Sequence, residues 1–325
     1  MVKTLKILSL FTGIGGFEMG FRKAGVPHEV VAYSEINPKS EEVYTRHFPG
    51  SRNLGDISGV DFNRVRYNCV VGGSPCTDLS SAAGLRHTND KRGLKGEQSK
   101  LFYRFVDAIR TRPKCHFILE NVASMSHENR DKMTRVLQNA SQRQVHLVLL
   151  DGSQWTGQNR RRYFWTTWHV PEQPNVRPVR WTKHLVPKQK ARELEHSERA
   201  KRYFFREING VPRLQVYRQN NDTSKRLART VTSAMHRDRV NNLIIDHRFN
   251  PPLYRMHHLV EAERLMGFPD GYTDNIANVW RYRALGNAVM PDMAMYAISF
   301  LKPLFSTSTK KEAKSTKTNN KTRSR

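Results

Sequence analysis

Leu5-Lys-Ile-Leu-Ser-Leu-Phe11, Thr12-Gly13-Ile14-Gly15-Gly16 and Phe17-Glu-Met-Gly-Phe-Arg-Lys-Ala24 read in succession as a buried strand, a glycine turn and the start of a helix. The glycines let the backbone approach a ligand closely, and the free N–H groups of a helix start favour a polar or anionic portion of it. Glu29-Val-Val-Ala-Tyr-Ser34 supplies a second strand and delivers Glu35, nineteen residues after Gly16, where a carboxylate can accept from both ribose hydroxyls. Asp56, in Gly55-Asp56-Ile57 after a third strand, is placed to accept from an adenine amino group. Glycine turn, ribose acid and third-strand Asp in this order indicate an α/β, Rossmann-like sheet that holds an adenosyl cofactor. A dinucleotide-binding domain is the near-neighbour, but Gly13-Ile-Gly15-Gly16 lacks its third spaced glycine.

Two more apolar runs, Asn68-Cys-Val-Val-Gly-Gly-Ser74 and Cys115-His-Phe-Ile-Leu119, read as strands that leave Pro75-Cys76 and Glu120-Asn121-Val122 at their ends. Ligands of open α/β sheets bind beyond the carboxyl ends of the strands, so one thiol and one carboxyl reach the same crevice. Such a pair suits nucleophilic attack on an electron-poor ring with assistance from an acid. The plainer alternative for Cys76 is a small buried apolar residue. From Thr77 to Gln98 the chain is polar, with Gly84, Gly93 and Gly96, and reads as a loop able to close over a substrate. Further on, the strand Gln144 to Leu150 leads through a turn into Gln158-Asn159-Arg160-Arg161-Arg162-Tyr-Phe-Trp-Thr166. In this hairpin alternate arginines face opposite ways, and one of Arg160 and Arg162 is expected to face the crevice. The other reading of both is a solvated face that binds phosphate.

A chain of 325 residues is long enough for one large domain and a smaller one. Its 55 Lys and Arg against 29 Asp and Glu leave a formal charge of +26, a field that attracts a polyanion, nucleic acid foremost. No apolar run approaches the roughly 18 residues of a membrane span, and the glycines after Phe11 interrupt any signal-like core. The composition reads as cytoplasmic, or nuclear in a eukaryotic setting. Cys69, Cys76 and Cys115 cannot all pair, and their spacing suits neither zinc nor a disulfide framework.

Taken in order, Phe11-Thr-Gly-Ile-Gly-Gly, Pro75-Cys76, Glu120-Asn121-Val122, Gln158-x-Arg160-x-Arg162 and Gly286-Asn287-Ala288-Val289 resemble the motifs of the DNA (cytosine-5)-methyltransferases across residues 5 to 303. Between Gly72 and Trp165 the wording is most similar to the catalytic domain of the animal de novo DNA methyltransferases. Gly286-Asn-Ala-Val instead follows the bacterial and phage enzymes, and Thr77 stands where the family usually has Gln. The resemblance implies S-adenosylmethionine as cofactor, held at Phe11, Gly13, Gly15, Gly16, Glu35, Ile36, Asp56, Ile57, Pro75, Leu101, Asn287 and Ala288. It also implies Cys76 as nucleophile, Glu120 as the group that engages cytosine N3, Arg162 as a donor to the ring carbonyl and Asn121 as a support for the base. Double-stranded DNA is the implied partner.

The implied organisation is a catalytic and cofactor-binding domain over 1–171, a smaller target-recognition domain over 172–283, a return to the catalytic domain over 284–305 and a disordered basic tail over 306–325. Within the second part, residues 172–228 hold 14 Lys and Arg against 6 Asp and Glu and carry four prolines. Arg229-Thr-Val-Thr resembles the family segment that supports such a region. The tail, with seven Lys and Arg and one Glu, has no large apolar residue after Phe305.

Overall fold

The computed structural model describes residues 4–75, 97–197, 205–208, 211–214, 221–235 and 243–301. Cys76, the expected closing loop up to residue 96 and the basic tail lie outside the described residues.

The opening unit is as expected, β1 (Leu5–Leu10) followed by α1 (Gly16–Ala24), which stops at Gly25 in the left-handed region with φ 62°. Then come β2 (His28–Ser34), α2 (Pro38–His47), β3 (Arg52–Asn53), β4 (Cys69–Gly73), α3 (Glu97–Thr111), β5 (His116–Val122), α4 (His127–Ala140), β6 (His146–Asp151), α5 (Ser153–Thr156) and β7 (Arg161–Thr166). Asn37 caps α2 by accepting from Lys39 N and Ser40 N, and Pro38 takes the first helical position, where no amide is needed.

These strands form one sheet in the order β3-β2-β1-β4-β5-β7-β6, parallel except for β7, which runs against both neighbours. The carboxyl ends of β1, β2, β4, β5 and β6 and the start of β7 therefore share one end of the sheet. Side chains alternate across the pleat. Cys69, Val71 and Ile118 enter a core with α1, whereas Val70, Phe117 and Leu119 enter a second core with Phe102, Phe105 and Met133 of α3 and α4.

Glu120, Asn121 and Val122 form the end of β5, paired across the sheet with Phe164, Tyr163 and Arg162 of β7 in turn. One expectation changes. The connection from β6 to β7 is no tight hairpin turn. It contains α5, closed by Gly157 at φ 75°, where a side chain would lie 2.6 Å from Trp181 N.

The remaining elements are α6 (Lys188–Arg192), the hairpin of β8 (Phe205–Ile208) with β9 (Val211–Leu214), and a three-stranded sheet of β10 (Asn221–Asp222), β11 (Leu243–Asp246) and β12 (Leu253–Met256). The chain ends in α7 (Leu259–Leu265), α8 (Asn278–Asn287) and α9 (Pro291–Ser299). α9 lies on α1 so closely that a side chain at Gly20 would meet Ala294 Cβ at 2.7 Å. Within residues 259–283, α7 is joined to β12 through Glu261 and Arg255, while the segment 272–275 reaches the first elements of the chain. Tyr272 donates its hydroxyl to Ile14 O at 2.7 Å, Asp274 pairs with Arg46, and Asn275 bonds Glu42 O.

Candidate active site

A cavity of about 340 Å³ opens at the carboxyl end of the sheet, and the chain folds so that distant segments meet in it. From the first strand and its turn come Phe11 and Gly13, from the end of β2 Glu35 and Ile36, and from the segment after β3 Asp56 and Ile57. Pro75, Leu101 and Asn287 of the expected cofactor set are on the wall as well. Glu120 and Arg162 line the same cavity.

Phe11 has φ 55°, the single non-glycine residue with positive φ among the described residues, so its backbone is strained where it borders the cavity. Glu35 is held before any ligand arrives. One carboxylate oxygen accepts from Gly13 N at 2.8 Å and the other from Asn37 N at 2.7 Å, leaving lone pairs for hydroxyl donors. Ile36 is 73% exposed, an apolar surface offered at the mouth. Asp56 accepts from Ser58 N at 2.9 Å, and that backbone bond holds its carboxyl below the usual range.

Gly15, Gly16 and Ala288, expected at the cofactor, are not on the wall. Gly15 faces Phe48, Gly16 faces the carbonyl of Val289, and a side chain at either would sit 2.3 or 2.2 Å from those atoms. These two glycines permit close packing of the helix start, and Ala288 is buried in the core.

Glu120 and Arg162 form an ion pair of 2.9 Å, each with only a tenth or so of its side chain exposed. They come together because Val122 is opposite Arg162 and Glu120 opposite Phe164, which puts both chains on one sheet face two residues apart. Of the two hairpin arginines, Arg162 is the one that faces the crevice. Arg160 is buried and donates to the carbonyls of Val231 at 3.1 Å and Ala288 at 2.8 Å, so it braces the segment that carries Asn287 and is no phosphate-binding surface. Asn121 is buried as well. It does not line the cavity but donates to Ser74 Oγ at 2.9 Å and Ser74 O at 3.2 Å, two residues before Cys76.

Cys69 and Cys115 are free and buried, and burial pushes both thiols up, Cys115 to about 12. Neither is a nucleophile near neutral pH. Pro75, which precedes Cys76 in the chain, is on the cavity wall. Sequence reading missed Ser34, Asn37, Ser40, Ser74 and Gly286 as lining residues. Gly286 had a signal in its motif, and its need is steric: a side chain there would lie 2.1 Å from Ser233 N. Among the described residues no cluster of His, Cys, Asp and Glu suits a metal ion, and no helix is long and apolar enough to cross a membrane.

The chain is similar to known proteins along nearly its whole length. It shares 30% identity over 136 residues with an orphan methyltransferase of Bacillus phage rho11s, a match that covers 41% of this chain and 26% of that protein. With a type II methyltransferase of Lactococcus lactis subsp. cremoris it shares 24% over 300 residues, 87% of this chain and 74% of the relative. The matched part thus spans about a quarter of the phage protein and three quarters of the lactococcal one. The crystal structure of the S. pombe Dnmt2 methyltransferase has the same fold, with a TM-score of 0.68 at 19% identity, covering 92% of this chain and 99% of that one. The family model described as C-5 cytosine-specific DNA methylase matches residues 5–206 and 172–302, and the chain belongs to that family.

Proposed function

We propose that this protein transfers a methyl group from S-adenosylmethionine to C5 of a cytosine flipped out of duplex DNA, through a covalent bond between Cys76 and C6. The observation that carries this reading is the Glu120–Arg162 pair on the cavity wall beside Pro75, in a chain of this family.

The residues present fit the cofactor. Glu35, fixed by two amides, accepts from the ribose hydroxyls; Phe11 and Ile36 offer apolar surface to the purine, and Asp56 accepts from its amino group. S-adenosylmethionine supplies the electrophilic methyl group when bound. Cytosine C5 is too poor a nucleophile to take it unaided. Addition of the Cys76 thiolate forms the S–C6 bond and pushes an electron pair towards C5, with negative charge growing on N3 and O2. Glu120, donating a proton to N3, and the Arg162 guanidinium at O2 meet that charge more strongly in the transition state than in the ground state. Loss of the C5 proton and departure of the Cys76 sulfur then restore the ring. Inside a duplex C6 is hidden in the stack, so the base must swing out, at a cost of a few kcal/mol.

Incubation with tritiated S-adenosylmethionine and separate DNA and RNA pools tests the substrate. Label is expected in DNA, and label confined to RNA would overturn the reading. DNA carrying 5-fluorocytosine is expected to trap wild-type protein, because fluorine cannot leave as a cation, and Cys76→Ser is expected to give neither trapping nor transfer. An active wild type that never traps would rule out the covalent route.

A further inference from the structure

At the carboxyl end of the sheet lies a group of arginines that the chemistry does not use. Residues 178–181 run between α5 and the segment 226–228: Val179 N donates to Ser153 O at 3.0 Å, and Trp181 N to Arg226 O at 3.2 Å. The Arg226 guanidinium is held by Pro178 O at 2.7 Å, and Arg177 and Arg180 are exposed on the same strip. Desolvation and then the charges of Arg177 and Arg180 lower the pKa of Arg226, and no carboxylate among the described residues offsets them. Three guanidiniums on one strip, with no ion pair to a carboxylate among the described residues, gain stability when an anion joins them.

The strip also has a definite place. α5 begins directly after β6, and Gln158 and Asn159 run alongside Ala228 before the chain enters β7 and Arg162. The arginines therefore stand at the end of the sheet where the cavity opens. A polyanion whose one base occupies the cavity must continue across this end, and guanidiniums match phosphate geometry.

We propose that Arg177, Arg180 and Arg226 form a clamp for the phosphate backbone of the DNA that flanks the target base. The clamp rests on the proposed reading of DNA as substrate. It contributes affinity and position, and carries no sequence preference.

The salt dependence of binding to a duplex of random sequence tests it on the full-length protein. Each lost phosphate contact is expected to reduce the slope of log K against log salt by about 0.9. The double variant Arg177→Ala, Arg180→Ala leaves the Arg226–Pro178 bond in place and is expected to lose about two contacts and at least tenfold in affinity near 0.1 M salt. Cofactor affinity and kcat at saturating DNA are expected to stay at the wild-type level, and Arg177→Lys, Arg180→Lys to recover most of the slope. An unchanged slope in the alanine variant overturns the clamp, as does an equal fall in kcat at saturating DNA, which would put these residues in the target pocket. A wild type that binds DNA but labels none would count against the proposed function alone, since the slope is still read.

Discussion

The amide of Asn121 works on the two strands that frame the cavity. Its Nδ2 holds Ser74 at the end of β4, and its Oδ1 accepts from Val122 N at 2.7 Å within β5. Ser74 is two residues before Cys76 in the chain, so this side chain fixes the backbone just ahead of the thiol. Asn121→Ala strands buried partners and is expected to cost about 1–3 kcal/mol of stability. Because Asn121 touches neither Glu35 nor Asp56, S-adenosylmethionine affinity is expected to hold within about twofold in calorimetry, while single-turnover methyl transfer falls at least tenfold. Glu35 shows the opposite pattern. Its carboxylate is braced by Gly13 N and Asn37 N and faces the cofactor side, so Glu35→Ala is expected to weaken cofactor binding by about 1–3 kcal/mol. Unchanged affinity there would mean that the ribose is elsewhere.

The element most dependent on a single residue is the three-stranded sheet with α7. Arg255, fully buried in β12, reaches Asp246 of β11 at 3.0 Å and both oxygens of Glu261 in α7 at 2.8 and 2.9 Å. Glu261 also accepts from Val186 N and from His258 N, the latter closing the capping box of α7. Arg255→Met leaves the buried Glu261 without its cation and Asp246 with Arg248 alone, and is expected to destabilise by about 3–5 kcal/mol in urea unfolding. Lys23→Met removes a partly exposed partner of Asp292 and is expected to cost no more than about 1 kcal/mol. This contrast follows legibility. β1, α1 and Glu35 could be read from the chain because strand, turn and acid are local in sequence, and Glu120 because it extends an apolar run. Arg160, Asn121 and Arg255 could not be placed so. Their roles depend on partners up to 128 residues away, such as Ala288 for Arg160, and nothing near an arginine in sequence says whether its charge is buried or wet. The packing roles of Gly15 and Gly16 were hidden for the same reason, since Phe48 and Val289 arrive from other elements.

At the scale of the whole molecule, acid is expected to loosen the join between the two cores and the small sheet through His257. This side chain is 1% exposed, and burial, aided by the Arg255 charge and opposed by Glu261, lowers its pKa from 6.5 to about 4. The unfolded chain therefore binds a proton between pH 6.5 and 4 that the folded chain refuses. Stability from this group is complete above about pH 6.5 and falls as pH drops towards 4, by about 2 kcal/mol at pH 5 and about 3 kcal/mol in full. His184, lowered to about 4 by burial and by Lys183, works in the same direction. Glu18 works against both, because burial raises its carboxyl and a proton there favours the folded state. Asp246 and Glu261, held low by their arginines, lose their contribution only at still lower pH. Comparison with His257→Gln cancels these other groups. Urea unfolding of both proteins at pH 7.5 and pH 5 is expected to show the wild type losing about 2 kcal/mol more than the variant, and equal losses would mean that His257 is already protonated in the folded protein.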